Sequence, residues 1–445
     1  MHAIVVGGGL VGSLEACFLA KRGFSVDLYE AREDIRLLEH VKGRSINLAL
    51  SIRGREALKA VGLEEEVVAS GIPMRARRIH DTNGRLSSQP YGTEEQYLLS
   101  VDRRKLNETL LSAAESNSDV NLHFSHKLLK ADFKDGKAVF LNSSEGSEVE
   151  VTADLIVGCD GAYSTLRRQI MKATRLNYSQ EYIPHGYMEL TIPPSNDNTF
   201  QMEQNFLHIW PRGQFMMIAL PNQDKSFTVT LFMPFIMFEC IRTREDLLKF
   251  FEEQFRDGLR LIGREELCEC FFSSKALPLI SIKCWPYHVG NNAVILGDAA
   301  HAMVPFYGQG MNCGLEDCLV LDEMLGAYGD DLGKALTCYS IKRNPDVKAI
   351  CDLAMYNYVE MRDLVNSRWF VFRKKIDSIL HFFMPNSYIP LYTMVSFTRM
   401  RYHHVINKWK SQSKMIDSAL IVLFLASILA PTTYFASRKQ QWRLW

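Results

Sequence analysis

The sequence predicts an α/β fold in which a Rossmann-type parallel-sheet domain carries an inserted antiparallel β-sheet domain, followed by a C-terminal helical region that ends in a transmembrane helix. Three observations predict it. A strand, a glycine-rich turn and a helix open the chain at Ala3–Lys21, and two further strand ends carry acid and glycine, at Asp160 and Asp298. Long alternating strands lie between them from Tyr178 to Trp285, and an uncharged run closes the chain.

Composition limits the function classes. The 445 residues contain 51 Lys and Arg against 51 Asp and Glu, so no net charge favours nucleic acid as a partner. The ten cysteines form no CxxC pair, which predicts free thiols in a reducing compartment and neither zinc nor disulfides. Only Met1 and His2 precede the first strand, so we expect no N-terminal targeting segment.

The opening βαβ unit predicts a dinucleotide site. Strand Ala3–Val6 leads into a turn with Gly7, Gly9 and Gly12, and the second strand ends at Glu30. The first glycine permits the tight turn, the second lets pyrophosphate approach the backbone, and the third allows close helix packing. An acid at the end of the second strand is placed to bind a ribose. A plain glycine-rich turn is the alternative, but the strand, the helix and the acid together favour the dinucleotide site.

Two later strand ends repeat this logic. The strand Ala293–Leu296 ends at Asp298, and a loop containing Gly308 and Gly310 leads to a helix that begins near Met311. Such a helix start binds anions through its free N–H groups. Another strand ends at Asp160, ahead of a helix near Ser164 and Thr165, although this piece alone could be an ordinary βα turn.

Clustered arginines leave two alternatives open. Along an extended strand, Arg75 and Arg77 would lie on one face and Arg78 on the other. The cluster could be a solvated strand edge or a site for an anion. Arg103 lies in the first turn of a helix capped by Asp102, where a cation is electrostatically unfavourable and indicates either an anionic partner or a surface ion pair.

The segment Tyr178–Trp285 predicts an antiparallel sheet with a hairpin at Pro211–Gln214 and an amphipathic helix at Lys249–Arg264. Its strands are apolar at successive positions, so both faces of the sheet are expected to be buried. Either a layer of helices or an aromatic substrate packs against the sheet.

The C-terminal part predicts helices at Gly314–Leu325 and Leu332–Arg343, with Asn344-Pro345 starting another. Ser418–Ala436 is a 19-residue run without charge between basic flanks, which is typical of a membrane span, with a buried helix as the alternative. The predicted organisation is therefore a cofactor domain at 1–177 and 286–345, a substrate domain at 178–285, a helical region at 346–417 and an anchor at 418–436.

The three segments GGGLVG with Glu30, CDGAYSTLR and GDAAHAMVPFYGQGMN resemble, in order and separation, the FAD-dependent aromatic hydroxylases of the para-hydroxybenzoate hydroxylase family. The resemblance implies a flavoprotein monooxygenase that uses NADPH and dioxygen, with NADPH as a transient co-substrate. It also implies attachment to the mitochondrial outer membrane through the C-terminus, with the catalytic domain facing the cytosol.

Site residues follow from the same resemblance. Those implied to bind FAD are Gly7, Gly9, Val11, Gly12, Tyr29, Glu30, Ala31, Arg32, Ala49, Arg103, Leu128, Asp160, Thr165, Asp298, Gly310, Met311 and Asn312. Those implied to bind the substrate are Arg77, Tyr91, Asn357, Tyr392, Phe306 and Met361. No catalytic side chain and no metal are expected, because the flavin carries the chemistry.

Two other functions remain to be weighed. A membrane-bound flavin monooxygenase, epoxidase or reductase could act on another aromatic substrate or on a lipid, but a lipid enzyme has no need of Arg77. A non-catalytic membrane adaptor on a flavoprotein scaffold would be colourless after purification.

Overall fold

The protein is described from a computed structural model, which covers residues 1–38, 47–92, 95–329, 331–362, 367–385 and 387–441. Within these ranges, only the backbone is described for 361, 362, 368, 371, 423, 424 and 428–441.

The strands fall mostly in the first two thirds of the chain. They are β1 His2–Val6, β2 Ser25–Tyr29, β3 Asn47–Leu50, β4 Ile72–Met74, β5 Ala76–His80, β6 Leu86–Pro90, β7 Leu98–Asp102, β8 Val120–His123, β9 His126–Asp132, β10 Lys137–Asn142, β11 Ser147–Thr152, β12 Leu155–Gly158, β13 Asn177–Ile192, β14 Phe206–Arg212, β15 Phe215–Pro221, β16 Phe227–Pro234, β17 Leu277–Trp285, β18 His288–Val289 and β19 Ala293–Ile295.

Helices surround the sheets and make up most of the chain after residue 310. They are α1 Leu10–Lys21, α2 Ile52–Ala60, α3 Glu64–Ala69, α4 Arg103–Glu115, α5 Thr165–Ala173, α6 Phe235–Cys240, α7 Arg244–Gln254, α8 Arg256–Ile262, α9 Arg264–Ser273, α10 Gly310–Tyr328, α11 Leu332–Arg362, α12 Arg368–Phe383, α13 Leu391–Ser396 and α14 Tyr402–Gln441.

A six-stranded sheet forms the first domain, in the order β18-β19-β12-β1-β2-β8. From β19 to β8 all neighbours are parallel, and only β18 runs antiparallel. Its central strands are apolar runs whose residues are fully buried, as a parallel sheet covered on both faces requires. Because the strands are parallel, the residues after β1, β2, β12 and β19 meet at one edge, which confirms the predicted α/β domain.

A seven-stranded sheet forms the second layer, in the order β17-β13-β16-β15-β14-β5-β6. The predicted hairpin is confirmed, since β14 and β15 pair antiparallel around Gly213, whose φ is 72°. One face packs on α7, α8 and α9 through Trp210, Phe227 and Phe251, and the other contributes Phe232 to the main core. The sheet also takes in β5 and β6 from outside 178–285, with β5 parallel to β14.

Two predicted helix boundaries are wrong. The helix expected at Lys249–Arg264 is three helices, α7 to α9, because Phe255 leaves the helical backbone and Gly263 has a φ of 97°. The break expected at Asn344-Pro345 does not occur, since Pro345 lies inside α11. A proline in a helix interior costs about 3 kcal/mol. Buried packing of Val347 and Ile350 on the core offsets that cost.

The predicted membrane span falls within α14, and the side chains of 423, 424 and 428–436 lie outside the described residues. In the part of the chain whose placement is described, no helix has the length and apolar character needed to cross a bilayer.

A buried histidine pair ties the seven-stranded sheet to α8. The Nε2 atom of His208 lies 2.9 Å from the Glu203 carbonyl and therefore carries the hydrogen, so its Nδ1 accepts from His80 Nε2 at 2.9 Å. The Oδ2 atom of Asp257 lies 2.7 Å from the other nitrogen of His80 and accepts from the indole of Trp210. Burial lowers the pKa of His208 to about 4.

This histidine predicts a loss of stability in mild acid. Its folded-state pKa lies below its unfolded value of about 6.5, so only the unfolded chain takes up the proton between about pH 6.5 and pH 4. Stability contributed by the neutral ring is thus full above pH 6.5 and falls by roughly 3 kcal/mol towards pH 4. We expect His208→Gln to flatten the pH dependence of the unfolding free energy over that range. His404→Gln, at an exposed position, is the control; equal slopes for both variants would contradict the assignment.

Candidate functional site

A glycine turn lies at the carboxyl edge of the parallel sheet. Gly7 has a φ of 106°, and a Cβ placed there would lie 2.5 Å from the Cys159 carbonyl, so only glycine fits between the strand ends. A Cβ at Gly12 would lie 1.9 Å from the Gly7 carbonyl, which lets α1 start directly against the turn. These two glycines are therefore required by the protein itself.

Gly9 differs from both. It is exposed, its φ of −77° and ψ of −175° suit any residue, and an added Cβ would meet no atom within 4 Å. No contact within the described protein explains a glycine there. A ligand that occupies this space would explain the glycine. The N-terminus of α1 lies there, and its free N–H groups favour an anion.

Glu30 lies beside this turn, at the end of β2. One of its carboxylate oxygens accepts from the Gly8 amide at 2.7 Å, and the other accepts from the Arg32 amide at 3.0 Å. The carboxylate is thus fixed at the strand edge, where a ribose hydroxyl could donate to its remaining lone pairs. The Arg32 side chain points to solvent, being 88% exposed.

Asp298 and the start of α10 form the opposite wall of the cleft. Solvent reaches the Asp298 side chain, yet the surrounding protein raises its pKa by burial, which is typical of a group that lines a deep cleft. The nearby His301 and Arg103 oppose this rise. No side chain caps α10, so its first N–H groups, from Gly310 and Met311, are left for a ligand.

Asn312 locks this wall to the neighbouring strand. Its amide donates to the carbonyls of Ala49, at 2.8 Å, and Gly308, at 2.7 Å, and its oxygen accepts from the Ser51 amide at 2.7 Å. The side chain is completely used within the protein. Its predicted contact with the cofactor must therefore come from its backbone.

Other predicted cofactor residues support the cleft from behind. The Tyr29 ring is buried in a stack between His123 and Phe140. Asp160 accepts from the amides of Thr165 and Leu166 and so caps α5, while its second oxygen has no hydrogen-bond partner among the described residues. The remaining ones are Val11, which packs against Gly297 and Gly314; Leu128, which is buried on β9; and Ala31, which follows Glu30.

These residues fit a flavin dinucleotide. Open space at Gly9, a fixed carboxylate at Glu30, a solvent-reached acid at Asp298 and an uncapped helix start face one cleft. The first two suit the pyrophosphate and a ribose, and the helix start suits the electron-rich end of an isoalloxazine ring.

A network of buried charges lies beneath the α10 wall. Arg343 donates to Asp317 at 2.6 Å and to Glu316 at 2.9 Å, and Arg53 contacts the second oxygen of Glu316 at 2.8 Å. Asp317 also accepts from the Gly297 amide and pairs with His301. Burial would raise the pKa of Asp317, but His301 and Arg343 hold it below its ordinary value.

His301, Cys313 and Asp317 bring three donor atoms within 4.8 Å of one another, an arrangement that could hold a metal ion. The guanidinium of Arg343 contacts two of them, with its Nη2 3.2 Å from the Cys313 sulfur. A cation already occupies the centre of this cluster. We therefore interpret it as part of the ion-pair network.

Arg77 lies at the centre of a second site. It is 7% exposed, on β5, and its guanidinium carbon lies 4.2 Å from the ring centre of Tyr392. Burial opposes its charge, but Tyr392, Tyr91 and Glu360 raise its pKa, so it stays cationic. Its Nε atom and the Tyr91 hydroxyl are buried without hydrogen-bond partners among the described residues. A buried guanidinium with an N–H left unused, beside a buried hydroxyl, indicates a binding site for an anion.

Aromatic rings wall this site. Tyr392, on α13, stacks between Tyr91 and Tyr307 with ring centres 5.3 and 5.4 Å away. Phe306 stacks on Tyr358 at 3.7 Å and meets Phe232 of the sheet edge to face. This arrangement suits a flat, aromatic ligand.

Asn357, on α11, fixes the loop before α10 by donating to the Phe306 carbonyl at 2.7 Å. The structure thus brings together five of the six predicted substrate residues. The sixth, Met361, has a side chain outside the described residues.

Sequence reasoning missed Glu360. Its carboxylate lies 3.8 Å from Arg77 and 3.2 Å from Lys374 of α12, and it is 5% exposed. It follows Asn357 by three residues and so shares its helix face. An acid at that spacing within an apolar helix was a signal that could have identified it.

Arg78 is on the other side of β5. It pairs with Glu203 and contacts Ser88, near the surface. The two arginines are separated as strand alternation predicts, whereas Arg75 lies before the strand and is exposed.

Comparison with known proteins defines the class first. Residues 1–354 match the family model described as FAD binding domain. Among solved structures, 2-methyl-3-hydroxypyridine-5-carboxylic acid oxygenase aligns with a TM-score of 0.65 at 22% identity, over 81% of this chain and 92% of that one. PqsL from P. aeruginosa, in complex with 2-aminobenzoylacetate, aligns with a TM-score of 0.66 at 19% identity, over 82% and 97%. At these identities the likeness shows the fold: the chain is a flavoprotein with the α/β fold of FAD-dependent aromatic monooxygenases.

Curated relatives narrow the class. Kynurenine 3-monooxygenase from Sus scrofa is 55% identical over 97% of this chain and 91% of its own. The enzyme of the same name from Anopheles gambiae is 54% identical over 97% and 89%, and that from Myxococcus xanthus is 42% identical over 89% and 86%. The chain belongs to the kynurenine 3-monooxygenase family.

The geometry predicts that Gly9→Val yields a folded protein that does not retain FAD. The valine clashes with no described protein atom but fills the space beside the pyrophosphate site. We expect the flavin absorbance to be lost after desalting while the unfolding temperature matches that of flavin-free wild type. The control Gly12→Val clashes with the Gly7 carbonyl and should lower that temperature as well. A stoichiometrically yellow Gly9→Val protein would refute the cofactor assignment.

Proposed function

We propose that this protein hydroxylates L-kynurenine at ring position 3, with FAD as cofactor and NADPH and dioxygen as co-substrates. The single observation that carries the proposal is the buried Arg77–Tyr91–Tyr392 cluster between aromatic walls. An aryl amino acid needs both a cation for its carboxylate and a slot for its ring. The family membership supports the same substrate.

Arg77 holds the carboxylate in this proposal. Its planar fork suits bidentate hydrogen bonds, and its free Nε is one of the two donors such a bond uses. The Tyr91 hydroxyl adds a third donor. Burial keeps the dielectric low, which strengthens each of these bonds.

The remaining residues hold the ring and exclude water. Phe306 is positioned by the hydrogen bond from Asn357 and by stacking on Tyr358, so the aryl ring meets a fixed wall. When bound, FAD accepts electrons from NADPH and activates dioxygen. The protein contributes alignment of the ring and a site closed to water, rather than an acid or base.

A lipid substrate is not favoured. A buried arginine with unpaired donors would face an alkyl chain at a desolvation cost of several kcal/mol. The electrostatics of the pocket therefore favour an anionic, aromatic substrate.

Substitution of Arg77 tests the carboxylate contact. We expect Arg77→Met to weaken the binding of L-kynurenine by ~2 to 4 kcal/mol, because a buried charge-assisted pair is lost. The dissociation constant should therefore rise roughly 30-fold to 1000-fold. Flavin content should be unchanged. Titration of the flavin spectrum with substrate measures both.

Two controls accompany this measurement. Arg78→Met removes the surface pair with Glu203 and should leave the affinity close to that of wild type. Decarboxylated kynurenine should bind Arg77→Met no worse than it binds wild type, since the contact is already missing. Normal binding of L-kynurenine by Arg77→Met would place the carboxylate elsewhere.

We further propose that residues 418–436 anchor the protein in the mitochondrial outer membrane, with the catalytic domain in the cytosol. The uncharged run between basic flanks supports it. The exposed Ile421 and Leu425 at the start of that run, 59% and 51% accessible, are consistent with a lipid neighbour.

Deletion of everything after Lys414 tests the anchor. We expect the shortened protein to move from the membrane pellet to the supernatant after an alkaline carbonate wash, because the apolar run is gone. The full chain, washed in parallel, should stay in the pellet. A shortened protein that remains in the pellet would assign the anchor to an earlier segment.

A further inference from the structure

Helix α12 exposes large apolar side chains, whereas a helix at a protein surface usually exposes polar ones. Among its described side chains, several polar ones contact the protein, whereas five large apolar ones are exposed. The exposed ones are Trp369, Phe372, Ile379, Phe382 and Phe383, with exposures of 61%, 48%, 56%, 80% and 75%. Large contiguous apolar patches on a protein surface commonly mark sites of interaction with a membrane or another protein.

The inward face is fixed by polar contacts. Arg373 pairs with Asp417 of α14 at 2.6 Å, and Lys374 pairs with Glu360 of α11 at 3.2 Å. His381 lies 2.8 Å from the Tyr388 carbonyl, and the Tyr388 hydroxyl donates to Asp377. Because residues 373, 377 and 381 recur at intervals of four, they form one stripe. The orientation of the helix is thus set by the protein, and the outward direction of its aromatic face follows from it.

We propose that α12 lies in the plane of a membrane surface and inserts its aromatic face among the lipids, as a second membrane contact beside the proposed anchor. This inference goes beyond the proposed reaction and does not depend on it.

The chemistry of the helix favours lipid over a second copy of the chain. Tryptophan and phenylalanine are typical of helices that lie at the boundary between headgroups and acyl chains. The exposed Lys375 flanks the apolar stripe, where it can contact anionic headgroups. Interfacial helices combine these two features.

The position of α12 supports the same occupant. It contacts α14 at Asp417, and Asp417, Ile421 and Leu425 share one face of α14 because they are four residues apart. Helix α12 therefore lies beside the start of the apolar run on α14, with its aromatic side chains on the side away from the Arg373–Asp417 contact. A bilayer that contacts the apolar run of α14 would therefore also lie close to α12.

Quenching by brominated lipid tests the proposal. The full-length holoenzyme is reconstituted into vesicles of phosphatidylcholine and phosphatidylserine whose acyl chains are brominated either near the headgroup or near the bilayer centre. The fluorescence difference between wild type and Trp369→Phe isolates Trp369. We expect bromine near the headgroup to remove most of this component, and bromine near the centre to remove much less, since an interfacial helix lies shallow.

Trp285 supplies the matched control, since it is also exposed, at 39%, but belongs to the seven-stranded sheet. The component isolated with Trp285→Phe should be unaffected by either lipid. A Trp369 component that survives both brominated lipids overturns the proposal. Energy transfer from Trp369 to acceptor-labelled copies in detergent would assign the face to self-association and also overturn the proposal. Flotation of the same vesicles reports separately on the anchor.

Discussion

The buried pairing of Arg343 with Asp317 and Glu316 holds the molecule together at its functional centre. Asp317 accepts from the amide of Gly297, two residues after β19, and Glu316 is shared with Arg53 of α2. The end of β19, α2 and α11 are thus joined through two adjacent carboxylates on α10. Removing one partner would leave an uncompensated buried charge, at a cost of several kcal/mol. The fixed direction of the α10 start, and with it the placement of the flavin, depends on this network.

The proposed substrate site depends on the same loop as the proposed cofactor site. The loop that carries Phe306 and Tyr307 connects β19 to α10, so the same stretch of chain lies between the proposed flavin site and the proposed substrate site. Asn357 and Tyr392 contact this loop from α11 and α13. In the proposed function, one short segment would therefore position the substrate ring relative to the cofactor.

Local signals in the sequence predicted much of this arrangement. Glycine spacing, acids at strand ends, the helix cap at Asp102 and the helix start near Ser164 depend on neighbours a few residues away, and the structure has each of them. Prediction failed where contacts between residues far apart in the sequence determine the structure or the role of a residue. Pro345 stays within a helix because packing outweighs its local preference, and Glu360 gains meaning only beside Arg77, 283 positions earlier in the chain. Alternation separated Arg77 from Arg78, but only the folded sheet shows which of them is buried.

The shared carboxylate of Glu360 has a consequence for the substrate pocket. Arg77 approaches it from the buried side, whereas Lys374 approaches it from a position where 40% of its side chain is exposed. Dissolved ions can screen the lysine but not the arginine, because screening acts on charges that reach water. As salt weakens the ion pair between Lys374 and Glu360, Glu360 is left to neutralise Arg77 and, in the proposed function, would compete with the substrate carboxylate. The affinity of an enclosed pocket thereby becomes sensitive to ionic strength through one lysine at its rim.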